Sequence, residues 1–451
     1  MGSIHPPGFQ VKAIAIVGAG PSGLAAAHYL KAQAAFDRIA VFEQQHQVGG
    51  VWNYTPVPPG PVPVPQTSPF FPPDAPVHSP APEAPPVFPS PMYEELHANI
   101  PKTMMSFWGQ PFPAESCIFP SRDDIQGYLL RYAQDSDLGR DRWRLLARST
   151  VDDRVIDDVF DAVVVANGHY SVPFVPHIQN IASFHEAYPA IITHAKQYRT
   201  ADAFRNKKVI IVGNGPSGTD IALQINKVSK GKTLLSIRSP TPPERLAHTA
   251  CAETPEIDAF LVDRRGVRFK DGRVETDVDA IVFCTGYLYS FPFLPDLRPS
   301  LITNGQGVHG LYKHLFYIRH PTLAFASLPT KSVPWHLAEA QAAALAAVWS
   351  NGLELPLPKE MQRWSSDLHE KMGQRLQLLR PGGDYHYINE LHDWVVKAKH
   401  LGKEPPRWSD EDFWQRSMML EGKRLFEVQG CKATTLDELG LRYDPNPEKR
   451  G

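Results

Sequence analysis

The 451-residue chain carries 46 basic and 48 acidic side chains, a formal net charge of −2, with 42% hydrophobic and 21% charged residues. That is enough chain for two or three domains with cores of their own. No basic block stands out, which argues against a nucleic-acid partner, since neutralising phosphates needs clustered Lys and Arg.

The four cysteines, Cys117, Cys251, Cys284 and Cys431, are scattered along the chain without a C-x-x-C pair. This speaks against a zinc site, a disulfide framework and a redox-active dithiol. No basic segment leads into an apolar stretch at the N-terminus, so a secretory signal is not expected. No apolar run reaches the ~18 residues of a membrane span. The most apolar helix candidate, Leu337 to Trp349, is Ala-rich and interrupted by Glu339 and Gln341; it reads as a core helix. A cytoplasmic location follows as the default.

In chain order, the first element is the apolar strand Ala13 to Val17, then Gly18-Ala19-Gly20-Pro21-Ser22-Gly23, then a helical stretch to about Ala35. The context matters, because a glycine triplet binds a dinucleotide only where it joins a strand to a helix. The first glycine makes the tight turn, the second lets pyrophosphate approach the backbone, and the third lets helix pack on strand. Ser22 lies in the helix N-terminus, whose free N–H groups and dipole suit phosphate. Glu43 closes the next strand about twenty residues on, where a carboxylate takes ribose hydroxyls and repels a 2′-phosphate. Gly49-Gly50-Val51-Trp52 follows: paired glycines allow another close backbone approach, and Trp52 can wall a flat ring. After a first fingerprint, this combination points to FAD.

From Pro56 to Pro91 there are 16 prolines. Such a stretch excludes helix and central strand and predicts an extended, polyproline-like excursion. It is either a surface insertion or a cover over the active site. Further on, two buried strands end in similar turns, Asn167-Gly168-His169-Tyr170 and Cys284-Thr285-Gly286-Tyr287. They read as the two crossings between domains. Between them, Val209 to Val212 leads into Gly213-Asn214-Gly215-Pro216-Ser217-Gly218 and a helix to about Val228, repeating the first design. Here the second strand is closed by Arg238, and a guanidinium pairs with a 2′-phosphate. The second site is therefore predicted to take NADPH.

The expected fold is α/β, with two Rossmann-like dinucleotide-binding domains and the NADP domain inserted into the FAD domain. Expected boundaries are 1–170 for the first part of the FAD domain, 171–283 for the NADP domain, and 284–451 for the second part with a C-terminal helical region.

These residues resemble the flavin-containing monooxygenases over nearly the whole chain. The likeness adds Asn99-Ile100-Pro101, Met105, Pro111-Phe112-Pro113 and Phe119-Pro120-Ser121 to the motifs above. The family signature reads Tyr188-Pro-Ala190-Ile-Ile-Thr-His194-Ala-Lys-Gln-Tyr198, with Tyr for Phe and Ala for Gly. The resemblance implies that NADPH reduces FAD, O2 forms a C4a-hydroperoxyflavin, and a sulfur or nitrogen of a small molecule takes the distal oxygen. It makes Asn99 the polar side chain at the flavin and leaves His194 to organise the domain linker. Gln341 matches a segment that returns to the flavin but reads more readily as a helix-surface residue. Between Leu138 and Phe160 the chain is shorter than the family pattern, which predicts one or two trimmed strands.

Baeyer–Villiger oxygenation of a carbonyl is the alternative activity, although Tyr198 stands where those enzymes typically have Trp. A disulfide reductase would need a cysteine pair near the flavin. The intact fingerprints and Asn99 speak against a degenerate scaffold that only binds nucleotides. Whether the enzyme is a monomer or a homodimer is open at this level.

Overall fold

The computed structural model describes residues 8–78, 85–133, 145–149, 154–297 and 300–445. Two parallel-based sheets organise it. In the first, strands follow the order 311–312, 316–317, 323–325, 162–165, 13–17, 38–42. Its centre is wholly parallel: Ile16 faces Val41 on one side and Val164 on the other. Strands buried on both faces need continuous apolar runs, which Ala13–Val17 and Ala162–Val165 supply. The second sheet has the order 252–255, 234–237, 209–212, 280–283, 192–194, also parallel. Beside it lies an antiparallel ribbon of Ile257–Leu261, Gly266–Phe269 and Val274–Glu275.

The second sheet is threaded between residues 165 and 311 of the first, so one Rossmann-type unit interrupts the other. The two passages touch. Val172–Pro173 pairs antiparallel with Tyr287–Leu288. His194, buried, bonds Gly286 O through Nε2 and accepts from Lys196 N through Nδ1. Burial pushes its pKa down to about 3, so it serves as a neutral tie between the passages.

Helix Pro334–Trp349 is buried at every position from Trp335 to Trp349. It packs on helix Pro21–Ala32 and helix Gly383–Val395. Its alanines allow close helix approach, which is why an almost featureless apolar sequence fits here. The expected core helix is therefore present. Gln341 differs from expectation: it is fully buried, not on a helix surface. Its Oε1 accepts from Ser327 N, and its Nε2 donates to Tyr387 Oη. A buried amide needs partners, and here they lock the turn after strand Leu323–Phe325.

Glu339, on the same helix, is fully buried and accepts from Trp108 N at 2.8 Å. Burial raises its pKa to about 7, opposed by the nearby Lys403 ammonium. A carboxyl raised above its unfolded value favours the folded state most below pH ~4.5, and that advantage fades as pH climbs to about 7. Chemical denaturation across this window is expected to show wild type losing about 3 kcal/mol more than Glu339→Gln. Parallel profiles would contradict the assignment.

The proline-rich stretch is neither a loose insertion nor regular structure. Gln66 exchanges both backbone bonds with Val175 on the first passage. Lys196, 3% exposed, pairs with Asp74 at 2.5 Å and donates to Ser171 O. Arg199 donates to Val57 O, Ser90 O and Met92 O. The segment is thus a strap fastened to the domain passages; residues 79–84 within it lie outside those described. Breaking a buried pair strands a charge, at about 3–5 kcal/mol. Asp74→Asn is expected to lower stability by about 3 kcal/mol in denaturant unfolding; a loss below about 0.5 kcal/mol would show that the strap is not anchored there.

Within 138–160, Leu145–Arg148 pairs antiparallel with Val155–Asp158. Residues 134–144, 150–153 and 446–451 lie outside the described residues.

Candidate active site

Both glycine turns are built by necessity. Gly18 has φ +106° and Gly213 φ +105°, a region closed to ordinary L-residues. A Cβ on Gly23 would lie 1.9 Å from Gly18 O, and one on Gly218 would lie 1.9 Å from Gly213 O. Each third glycine is what lets its helix descend onto its strand. Helices Pro21–Ala32 and Pro216–Asn226 both begin with proline at the first turn and have no side-chain cap. Their N-terminal N–H groups are left for a ligand, with Ser22 half-buried and Ser217 exposed in the first turns.

In the first cleft, Glu43 accepts Ala19 N at 2.7 Å through Oε2 and Gln45 N at 3.0 Å through Oε1. Each oxygen keeps acceptor capacity for ribose hydroxyls. Gly20 faces Gly50: a Cβ on Gly20 would stand 3.6 Å from Gly50 Cα. Gly50, at φ +58°, opens the short turn Gly50–Trp52, and Trp52 packs half-buried against the main core. Beside it the buried Gln126 Oε1 has no hydrogen-bond partner among the described residues, although its Nε2 donates to Val48 O and Asn53 Oδ1. A Cβ on Gly49 would meet that oxygen at 2.1 Å. A cleft of bare backbone, one carboxylate and an unpaired amide oxygen suits the pyrophosphate and hydroxyl-rich chain of FAD.

Asn99 is exposed, between buried Ala98 and Ile100. Ala98 N donates to Pro120 O, and Lys102 N to Ile118 O. These bonds hold the Asn99-Ile-Pro and Phe119-Pro-Ser segments side by side.

The second cleft is more open. A Cβ on Gly215 would have no protein atom within 4 Å, which leaves that backbone free to meet phosphate. Arg238, its side chain 71% exposed, pairs with Glu256 at 3.2 Å. Glu256 also holds Lys270, and both cations lower its pKa. An exposed pair is worth roughly 0–1 kcal/mol, so Arg238 can be released to another anion at little cost. Sequence reasoning missed Glu256 because it arrives from the link between strand Ala252–Pro255 and the ribbon. Below the cleft, Tyr198 Oη donates to Gln224 Oε1, and Tyr93 donates to Asp220. The first bond is internal to the NADP unit, and the second ties that unit to the chain just past the strap.

A surface groove of about 570 Å3 lies elsewhere, lined by residues such as Lys313, His386, Glu390 and Trp394. It shares no residue with either cleft, so its size has no bearing on the nucleotide chemistry. Among the described residues, no group of three or more His, Cys, Asp or Glu could hold a metal ion, and no helix is long and apolar enough to cross a membrane.

Two Rossmann-type clefts, one acidic and one cationic, on sheets that share a double passage define a two-dinucleotide oxidoreductase. A model of flavin-binding monooxygenase-like proteins matches residues 140–242 and 243–399, and one of NAD(P)-binding Rossmann-like domains matches 16–76. The chain belongs to the flavin-binding monooxygenase-like family. It is 32% identical to a thiol-specific monooxygenase of Saccharomyces cerevisiae, over 88% of this chain and 89% of the relative. It is 30% identical to the flavin-containing monooxygenase FMO GS-OX-like 2 of Arabidopsis thaliana, over 82% and 81% of the two chains. The structure of S-allyl-L-cysteine S-oxygenase from Allium sativum superposes with a TM-score of 0.73 at 24% identity, covering 96% and 98%. The protein is a flavin monooxygenase that uses FAD and NADPH.

Proposed function

We propose that this enzyme transfers one oxygen atom of O2 to the sulfur of a small thiol or thioether. Support comes from two relatives, one named a thiol-specific monooxygenase and the other an S-oxygenase. The observation that carries the reading is the pairing of an acidic cleft closed by Glu43 with a cationic one closed by Arg238. FAD, once bound and reduced by NADPH, supplies the activation of O2. The chain's own residues bind, orient and exclude water.

In this reading the FAD domain comprises residues 1–170 and 284–451, and the NADP domain 171–283. Gly18, Gly20, Ser22 and Gly23 cradle the FAD pyrophosphate, Glu43 takes the adenosine ribose, and Gly50 and Trp52 border the flavin end. Gly213, Gly215, Ser217 and Gly218 do the same for NADPH, with Arg238 on its 2′-phosphate. Asn99 is the catalytic amide: exposed on a segment fixed by its neighbours' backbone bonds, it can donate to reacting oxygen. The four free thiols support a reducing, cytoplasmic location.

Steady-state NADPH oxidation with a thiol, a thioether, a tertiary amine and a ketone separates the readings. The sulfur compounds are expected to raise turnover and yield S-oxygenated product. Stimulation by the ketone alone, with ester product, would establish the Baeyer–Villiger alternative instead. Asn99→Ala is expected to keep FAD and NADPH reduction but lose about 10- to 100-fold in oxygenated product per NADPH, with hydrogen peroxide in its place. Unchanged coupling would remove Asn99 from the chemistry.

A further inference from the structure

The fold brings together two cysteines that lie 314 residues apart in the chain: the Cys117 thiol sits 3.6 Å from Cys431 O. We propose that Cys117 and Cys431 are a paired modification site, closing to an intramolecular disulfide when a small-molecule disulfide is present. The inference does not depend on which substrate the enzyme oxygenates.

Three features of the backbone make the pair. After helix Asp410–Val428 the chain turns sharply through Gly430 at φ +83° and Cys431 at φ +59°, with Cys431 N bonded back to Phe426 O. The next residues then run beside the Cys117 segment, where Ile118 N donates to Ala433 O at 3.0 Å. An apolar cluster of Ile118, Phe119, Phe426 and Leu436 holds the two segments in register. Both cysteines pack against that same cluster, and the backbone bond one and two residues from the thiols holds their segments side by side, as closing a disulfide requires.

The surroundings give the two sulfurs different roles. Both are partly exposed. Lys102, anchored on Pro113 O, Ala114 O and Ser116 O, places its ammonium close enough to Cys117 for their charges to interact. Burial raises the Cys431 pKa. Cys117 thiolate attacks the small disulfide RSSR, forming Cys117–S–S–R and releasing RS−, which takes up a proton. Cys431, as it loses its own proton, then attacks the Cys117 sulfur and expels the second RS−. Two protein thiols are oxidised, one RSSR is reduced to two RSH, and the balance closes.

Closure would staple two working parts. Ala98 N bonds Pro120 O, so the Cys117 side leads to the Asn99 segment. The helix that precedes Cys431 carries Glu427, which pairs with His248 of the NADP unit at 2.8 Å. Cys251 is buried, and Cys284 is pushed up to about 12 by burial, so neither competes.

The test treats the FAD-loaded enzyme with excess 2-hydroxyethyl disulfide, blocks remaining thiols by alkylation, and maps a non-reducing digest by mass spectrometry. The expected result is loss of two alkylatable thiols and one cross-linked peptide joining Cys117 to Cys431. That peptide should persist in Cys251→Ala and Cys284→Ala, and disappear in Cys117→Ser and Cys431→Ser. Stable mixed disulfides on single cysteines in the wild type, a cross-link between other residues, or four thiols that all remain alkylatable would each overturn the proposal.

Discussion

Gly23→Ala is expected to give protein that retains less than about one tenth of its FAD, measured as flavin absorbance per chain. The added Cβ would stand 1.9 Å from Gly18 O, a backbone atom that no rotamer change can move aside. Relief requires pulling the helix off its strand, at well over the ~1–3 kcal/mol of ordinary overpacking, and this separates the N–H groups from the phosphates they hold. Gly218→Ala has the same 1.9 Å clash against Gly213 O but sits in the other unit. It should stay yellow and lose reduction by NADPH. Gly215→Ala is the informative contrast. Its Cβ meets no protein atom, so folding and FAD content should match wild type while the KM for NADPH rises. If Gly215→Ala binds NADPH normally, the second cleft does not hold the phosphates where its glycines suggest.

The second large effect is on cofactor choice. Arg238→Ala should raise the KM for NADPH by about 10- to 100-fold and leave that for NADH nearly unchanged, since a hydrogen bond to a charged group is worth about 1.5–3 kcal/mol. The pair with Glu256 sharpens the expectation. Because Arg238 is 71% exposed and shares Glu256 with Lys270, releasing it costs little and its removal should hardly touch stability. An unchanged preference for NADPH would place the 2′-phosphate elsewhere.

The parts of the fold that could be read in advance are those in which a local conformation admits one residue type. Gly18 and Gly213 need positive φ, Gly23 and Gly218 have no room for a Cβ, and Glu43 and Arg238 close the strands that follow. Each constraint acts within one strand–turn–helix unit, so spacing alone exposes it. The buried apolar runs reveal their parallel sheets for the same reason.

What stayed hidden depends on pairs distant in sequence. Composition shows sixteen prolines but not that Asp74 reaches a buried Lys196, nor that Gln66 borrows backbone bonds from Val175. Gln341 looked solvated because glutamine usually is; its burial becomes intelligible only once Ser327 and Tyr387 supply its partners. Glu339 interrupts an apolar helix for a similar reason, accepting from the Trp108 backbone and from Lys403. Cys117 and Cys431 are strangers in sequence and neighbours in the fold.

The most direct measurement supplies the purified, FAD-loaded enzyme with NADPH, a methyl thioether and isotopically heavy O2, and follows the label into product. The account predicts a yellow protein that forms a sulfoxide carrying a single heavy oxygen for each NADPH consumed. A chain that takes up no flavin, or a product whose oxygen derives from water, would contradict it.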